Sequence, residues 1–406
     1  MTISPLYSLH DAGLQARVMP AIKTRPQTRV VSQAPTPRFG GELSAETRVK
    51  PSWADRLFYD PLAQAFGYVA FHPRLFRRVR MAMNPGRLPG ISEREAKQRF
   101  APISDPIAFA SVEPNVLLSG RWMPAAGAGN RAIVMGHGYT SRWTNMAPLA
   151  DALRRRGYHV FLFDFRGHGR SSGSQTTFGL EEGRDIAAAV DYVRAHYPAQ
   201  SERLVYYGHS MGAAALMAAP WAMAPGRPGG QEALTRLTRQ LDAVILDSPY
   251  HALSDFVASQ LRAMISARPR SSLLLKAWPA KALRHFARRF RLSVEDARGP
   301  WRRRLPAAVD AVRPAALMAN SPALMAKPLL LIHGGADRVT EFHQGLRNYE
   351  RICRHNPQAQ LLALEGADHN ARGWVVDASG KKRYNGMMRG GESAFSQICD
   401  FIDAQR

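Results

Sequence analysis

Short apolar runs alternate with amphipathic stretches over residues 107–406 of this 406-residue chain. Runs that are apolar at nearly every position suit strands buried on both faces, and the amphipathic stretches between them suit helices. Such alternation predicts βαβ units, and therefore a mostly parallel, doubly wound sheet with helices on both sides. A further segment at 115–121 is predicted to add an antiparallel edge. The runs are 131–136, 159–165, 203–208, 242–247, 328–333 and 360–365, and helices are predicted near 146–156, 179–197, 211–222, 341–355 and 392–404.

The alternation is interrupted once, between the run at 242–247 and the run at 328–333. A structureless loop over the whole of this interval is improbable in a compact domain, so a helical cap inserted over one edge of the sheet is the better interpretation. Residues 1–45 are rich in Pro, Ser, Thr and Arg and indicate a flexible arm, whereas residues 53–83 show helical spacing. The predicted organisation is a basic N-terminal extension at 1–105, a core at 106–250 and 328–406, and a helical cap at 251–327.

The net charge of +23 raises the question of an anionic partner. Positive and negative residues are nearly equal in number in the predicted core, so most of the excess positive charge lies in the extension and in the cap. Nucleic acid is disfavoured, because no zinc-finger spacing and no RNA-recognition signature occurs. Solvated helix faces, an anionic substrate and peripheral contact with an anionic membrane surface stay open. The cap arginines are Arg284, Arg288, Arg289, Arg291, Arg302, Arg303 and Arg304.

The two cysteines, Cys353 and Cys399, cannot form a disulfide framework, and no CxxC motif suggests a metal or redox site. The first residues lack the basic and apolar regions of a secretory signal, and no stretch of about 18 apolar residues occurs. We therefore expect a cytoplasmic protein, with peripheral membrane contact as the open alternative.

Gly208-His209-Ser210-Met211-Gly212 follows one apolar run and opens a helical stretch. A nucleophile elbow needs this arrangement, because small residues let a strained strand-to-helix turn lift the serine Oγ above the sheet. The backbone N–H of Met211 then lies at a helix N-terminus, where it can stabilise an oxyanion.

With these motifs the sequence resembles the α/β-hydrolase superfamily, in particular cap-bearing bacterial serine hydrolases of the esterase, lipase and serine-aminopeptidase type. The resemblance covers roughly 107–406 and also rests on Gly136-His137-Gly138-Tyr139, which looks like the family's oxyanion loop. It implies that the second oxyanion N–H belongs to Tyr139. It also implies that the loop from Asp164 to Ser171 fixes local geometry and does not react. The N-terminal extension and a loop at 370–391 have no counterpart in the family pattern.

A serine nucleophile needs an imidazole base that is oriented by a carboxylate. The resemblance implies that Asp337 is this carboxylate and His369 the base, and the order Ser210, Asp337, His369 is the one this fold uses. Asp247, at the end of another strand, stays open as the alternative acid. Local or structural hydrogen bonding is the preferred interpretation of His137, His168, His209 and His333.

These residues predict a serine hydrolase that cleaves carboxylic esters through an acyl-enzyme on Ser210, with no metal ion and no organic cofactor. The expected partner is a small-molecule ester or acyl substrate. The basic cap leaves open whether this substrate carries an anionic group. The open alternatives are a serine peptidase or thioesterase with the same triad, and a non-catalytic membrane- or nucleic-acid-binding protein of this fold.

Overall fold

The computed structural model describes most of the predicted core and parts of the regions around it. Among the described residues no helix has both the length and the apolar character that a membrane-spanning segment requires. Most of the predicted cap lies outside them, as does most of the predicted arm. The described residues are 16–19, 68–83, 91–100, 102–227, 229–257, 259, 312–370, 372–376, 382–387 and 391–405.

A nine-stranded sheet runs through the centre of the described residues, in the order β1-β9-β8-β7-β6-β4-β5-β3-β2. A separate hairpin is formed by β10 and β11. The strands are β1 (Ala16–Met19), β2 (Ile107–Ala110), β3 (Leu117–Met123), β4 (Arg131–Gly136), β5 (His159–Asp164), β6 (Arg203–His209), β7 (Ala243–Asp247), β8 (Leu329–Gly334), β9 (Gln360–Leu364), β10 (Arg372–Val376) and β11 (Lys382–Met387).

Strands β4 to β9 are parallel to one another, whereas β1 pairs antiparallel with β9, β3 with β5 and β2 with β3. The mostly parallel sheet predicted from the apolar runs is therefore confirmed. The antiparallel strand predicted at 115–121 is found at Leu117–Met123, but it lies between β5 and β2 and is not the edge. Within the predicted arm, Ala16–Met19 pairs with β9 at the opposite edge.

Helices cover both faces of the sheet. They are α1 (Pro73–Met83), α2 (Glu93–Arg99), α3 (Trp143–Arg155), α4 (Gly183–His196), α5 (Met211–Ala222), α6 (Gly230–Gln240), α7 (Pro314–Met318), α8 (Pro322–Met325), α9 (Phe342–Cys353) and α10 (Gly391–Asp403). Five of these agree with the predicted helices within a few residues at each end. Helix α6 was not predicted, because glycines and prolines at 225–230 obscure the helical pattern at its start.

The sheet is buried on both faces, as β4 shows. Val134 belongs to one hydrophobic cluster, whereas Ile133 and Met135 belong to the cluster on the other side. Because successive side chains of a strand point to opposite faces, a run that is apolar at every position can be buried in this way. This is the physical basis of the six predicted strands.

A third hydrophobic cluster, which we call the roof cluster, combines segments from distant parts of the chain. Phe71 and Phe76 of the N-terminal segment meet Phe178, Phe256 and Val312 in it. Segment 69–76 of the predicted extension is therefore packed on the core. Tyr139 is half-buried against this cluster.

Residues 370–391 were expected to form a loop, and that expectation is wrong for half of the segment, while 371, 377–381 and 388–390 lie outside the described residues. Two of its parts pair as the antiparallel strands β10 and β11. Strand β11 lies against helix α3. The glycines and lysines of this segment concealed the strand pattern.

A buried ion pair holds the loop after β5. The guanidinium of Arg166 donates to both carboxylate oxygens of Asp185 over 2.7–3.1 Å, and it also contacts Glu113. Arg166 is 8% exposed and Asp185 is fully buried. Burial alone would lower the pKa of Arg166, but Asp185 and Glu113 raise it above its ordinary value. The predicted structural role of this loop agrees with these contacts.

We predict that Arg166→Met lowers the free energy of unfolding by about 3 to 5 kcal/mol, because it leaves the Asp185 carboxylate buried and uncompensated. Urea denaturation at neutral pH measures this loss. Arg99→Met is the matched control. Its 3.0 Å pair with Glu95 is exposed, so a change within about 1 kcal/mol is expected. Equal losses in the two variants would contradict the prediction.

Candidate active site

The predicted site residues come together at the carboxyl ends of adjacent parallel strands. Ser210 follows β6, Asp337 follows β8 and His369 follows β9. Tyr139 follows β4, and Asp247 is the last residue of β7. Because parallel strands end at the same edge of a sheet, residues far apart in sequence become neighbours there.

Ser210 lies in a strained turn between β6 and α5. Its backbone has φ 53° and ψ −113°, a conformation that costs a non-glycine residue about 1 to 3 kcal/mol. The backbone N–H of Ser210 donates to the carbonyl of Asp247 at 2.7 Å, which fixes the turn against β7. A Cβ at Gly208 would lie 2.7 Å from the backbone nitrogen of Ala213. Only glycine therefore lets the helix start so close to the strand.

The imidazole of His369 lies between Ser210 and Asp337. Its Nε2 is 3.0 Å from Ser210 Oγ, and its Nδ1 is 2.7 Å from Asp337 Oδ2. A carboxylate accepts the Nδ1–H, so Nε2 is left as the acceptor for the serine hydroxyl. All three residues are less than 9% exposed.

The Asp337 carboxylate is held by several donors besides His369. Its Oδ1 accepts from the backbone N–H groups of Val339 and Thr340 at 2.8 and 2.9 Å. Burial alone would raise the pKa of Asp337, but His369 and His333 bring it well below its ordinary value. The carboxylate is therefore ionised at neutral pH.

Thr340 is a member of this arrangement that sequence reasoning missed. Its Oγ1 is 2.9 Å from Asp337 Oδ2, 3.1 Å from His369 Nδ1 and 3.2 Å from the carbonyl of Ser248. The available signal was a hydroxyl residue three positions after the acid, a spacing at which local turns form hydrogen bonds. His333 is fully buried and 2.6 Å from the carbonyl of Thr340, in agreement with its predicted structural role.

Two other carboxylates near His369 have different partners. Asp247 is fully buried, and its Oδ2 accepts from the hydroxyl of Tyr207 at 2.5 Å. Asp368 accepts from the backbone N–H of Asn370 at 3.0 Å. The carboxylate at hydrogen-bonding distance from His369 Nδ1 is that of Asp337.

The predicted oxyanion residues lie beside the serine. Met211 is the first residue of α5, directly after Ser210. The loop that contains Tyr139 approaches from β4, where a Cβ at Gly138 would lie only 3.2 Å from the Cβ of Ser210. Gly138 thus allows the backbone before Tyr139 to come close to the serine.

His137 and His168 form hydrogen bonds with the backbone of this loop. His137 Nδ1 is 2.8 Å from the carbonyl of Gly138, and its Nε2 accepts from the backbone N–H of Phe165 at 3.1 Å. His168 Nε2 accepts from the backbone N–H of Thr140 at 3.3 Å. Burial lowers the pKa of His137 to about 4. Burial and the neighbouring His137 lower the pKa of His168 to about 3, so both rings are neutral at neutral pH.

His209 also has a local role, since its Nε2 lies 3.0 Å from the carbonyl of His369. Within the described residues no group of three or more His, Cys, Asp or Glu side chains is arranged to hold a metal ion.

Comparison with known proteins adds a family match. Residues 128–371, more than half of the chain, match the family described as serine aminopeptidase, S33. This segment contains Tyr139, Ser210, Asp337 and His369. The match confirms the predicted α/β-hydrolase fold.

Individual relatives cover shorter parts. YfhR of Escherichia coli strain K12, an uncharacterised protein, is 32% identical over 121 residues, which are 28% of this chain and 42% of YfhR. The uncharacterised protein Rv2307c of Mycobacterium tuberculosis is 29% identical over 139 residues, 34% of this chain and 43% of that protein. The chain thus spans less than half the length of these relatives. The Pyrococcus furiosus esterase PF2001 aligns with a TM-score of 0.49 at 23% identity, over 74% of this chain and 90% of the esterase.

We predict that the free energy of unfolding decreases as pH falls from about 6.5 to about 4. In this window the unfolded chain binds protons at His137 and His168 that the folded chain does not bind, so acid favours unfolding. His168→Gln should make the decrease shallower, as measured by urea denaturation between pH 7.5 and pH 5. His196→Gln, at a solvent-facing position of α4, is the control and should retain the full dependence. A wild-type slope in His168→Gln would contradict this assignment.

Proposed function

Because the chain belongs to the S33 serine aminopeptidase family of α/β hydrolases, we propose that it is a serine hydrolase that cleaves carboxylic esters through an acyl-enzyme on Ser210. The observation that carries the proposal is the continuous hydrogen-bonded series from Ser210 Oγ through His369 to Asp337, with distances of 3.0 and 2.7 Å. A serine hydroxyl needs such a base to act as a nucleophile at neutral pH.

In the proposed first step Ser210 Oγ attacks the substrate carbonyl carbon while His369 Nε2 takes the hydroxyl proton. Asp337 stabilises the imidazolium that forms, since its carboxylate accepts the Nδ1–H. His369 then returns the proton to the leaving alcohol, and the C–O bond to that alcohol breaks. In the second step a water molecule attacks the acyl carbon and gives a proton to His369. The bond between that carbon and Ser210 Oγ then breaks, His369 returns the proton to Oγ, and the acid is released.

The negative charge on the carbonyl oxygen needs donors that are in place before the reaction. We assign this role to the backbone N–H groups of Met211 and Tyr139. The start of helix α5 at Met211 supports the first assignment, because the N-terminus of a helix favours negative charge. The close approach of Gly138 to Ser210 supports the second.

The buried aromatic side chains of the roof cluster suit the apolar part of a small ester or acyl substrate. A helical cap over residues 251–327 is also part of the proposal. Amide cleavage is the second candidate function, favoured by the name of the matched family. A panel of p-nitrophenyl esters, aminoacyl amides and acyl-CoAs separates esterase, aminopeptidase and thioesterase by relative kcat/KM.

We predict that a fluorophosphonate probe labels the wild-type protein covalently and that Ser210→Ala abolishes labelling. The phosphonyl group reacts only with an activated serine, so other serines should not respond. Gel fluorescence and peptide mass spectrometry give the labelled residue. Ser248→Ala, a neighbouring buried serine, is the matched control and should remain labelled. An unlabelled wild type, or a labelled Ser210→Ala variant, would overturn the catalytic proposal.

We predict that Asp337→Asn lowers kcat by about a thousandfold or more, because the amide cannot stabilise the imidazolium and favours the wrong tautomer of His369. Asp247→Asn is the comparison and should stay within about tenfold of wild type, because its carboxylate accepts from Tyr207. Ester hydrolysis by both variants measures the difference. The reverse result would move the catalytic carboxylate to Asp247.

A further inference from the structure

The loop that contains Tyr139 has a strained residue directly after it. Thr140 has φ 58°, in the left-handed region that a β-branched residue rarely adopts. Such a conformation persists only where the surrounding structure holds it. The backbone N–H of Thr140 donates to His168 Nε2 at 3.3 Å, and that of Ser141 donates to the carbonyl of Gly138 at 3.1 Å. The position of the Tyr139 backbone therefore depends on the contacts that this loop makes.

The side chain of Tyr139 is held by an N-terminal segment, residues 68–78. Its hydroxyl donates to the carbonyl of Ala70 at 2.6 Å. Its ring lies 5.4 Å from the ring of Phe76. A side chain that is packed at its ring and bonded at its tip restricts the backbone that carries it. The segment precedes the residues of the family match, 128–371, so this contact is an addition to the matched region.

A second attachment joins the same segment to the loop after β5. The guanidinium of Arg74 donates to three carbonyls of that loop, at 3.2, 2.5 and 3.3 Å, those of His168, Ser171 and Gly173. The ring of His168 is also the acceptor for the backbone N–H of Thr140. Arg74 is therefore connected to the strained residue through a single histidine.

The segment itself is anchored at Phe71. The carbonyl of Phe71 accepts from the backbone N–H of Thr176 at 3.0 Å, and its ring lies edge-on to the ring of Phe178 at 5.3 Å. Phe71 is fully buried. Because Ala70 is the preceding residue, its carbonyl has a fixed position from which to accept the hydroxyl of Tyr139.

We propose that segment 68–78 positions the oxyanion donor of this enzyme, with the hydroxyl of Tyr139 and the guanidinium of Arg74 as its two positioning groups. The inference rests on the proposed function, because it concerns the backbone N–H of Tyr139 that is assigned there to the oxyanion. A donor aimed at the developing negative charge acts mainly in the transition state. Loss of its orientation therefore lowers kcat more than it raises KM.

Tyr139→Phe tests the contact with Ala70, since it removes the hydroxyl and retains both the ring and the backbone N–H. We expect kcat for p-nitrophenyl valerate to fall about tenfold, with KM within about twofold of the wild-type value. Tyr349→Phe is the matched control. The buried Tyr349 hydroxyl donates to the carbonyl of Ala359 at 3.2 Å, just before β9 and at the end of that strand opposite to His369. It should keep the wild-type kcat. An unchanged kcat in Tyr139→Phe, or a loss confined to KM, would overturn the proposal.

Arg74→Gln tests the second attachment. The shorter amide side chain cannot serve all three carbonyls, so kcat should fall about threefold or more at a nearly constant KM. Arg78→Gln is the matched control, because Arg78 is an exposed neighbour on the same helix, and it should retain the wild-type kcat. Equal kcat values in these two variants would reject the positioning role of Arg74.

Hydrogen exchange separates this inference from the proposed function, because it requires no turnover. The backbone amides of Thr140 and Ser141 are hydrogen-bonded, so their exchange rates report the opening of the loop. Mass spectrometry of peptides that cover them should show faster exchange in Tyr139→Phe and Arg74→Gln than in the wild type and the two control variants. Faster exchange supports the attachment even if the wild type hydrolyses no ester. Unchanged exchange rejects it even if Ser210 proves to be the nucleophile.

Discussion

The strained turn at Ser210 is the constraint on which the rest of the site depends. Its conformation is maintained by the hydrogen bond to the carbonyl of Asp247 and by the start of α5 directly above Gly208. The end of β4 also lies close to the start of α5, since a Cβ at Gly212 would lie 2.6 Å from the carbonyl oxygen of Gly136. The glycines therefore let three backbone segments meet where a side chain would separate them.

The register of the sheet brings the other site residues to the same edge as Ser210. Gly136 of β4 is paired with Gly208 of β6, and His209 is paired with Asp247 of β7. The strands β7, β8 and β9 follow in the same direction, so the loops that carry Asp337 and His369 arrive at the same edge. Packing on both faces of these strands holds the loops in place, as a single buried unit.

The roles of the N-terminal segment and of the basic residues depend on the contacts that they make in the folded chain. A net charge of +23 by itself concerns association and not fold. Many arginines of the described core are paired, as Arg166 is with Asp185. Arg142 differs, because its Nε is buried and has no hydrogen-bond partner within the described ranges.

The sequence by itself determined the parallel sheet, the elbow at Ser210 and the candidates Asp337 and His369. Uninterrupted apolar runs and glycine-flanked turns are local signals, so they can be read without the fold. Tertiary structure decided which carboxylate lies against His369, and it added Thr340 to that contact. It also brought segment 68–78 to Tyr139. These contacts join residues that are far apart in the chain, and their distances depend on how strands, helices and the roof cluster pack, which no local pattern encodes.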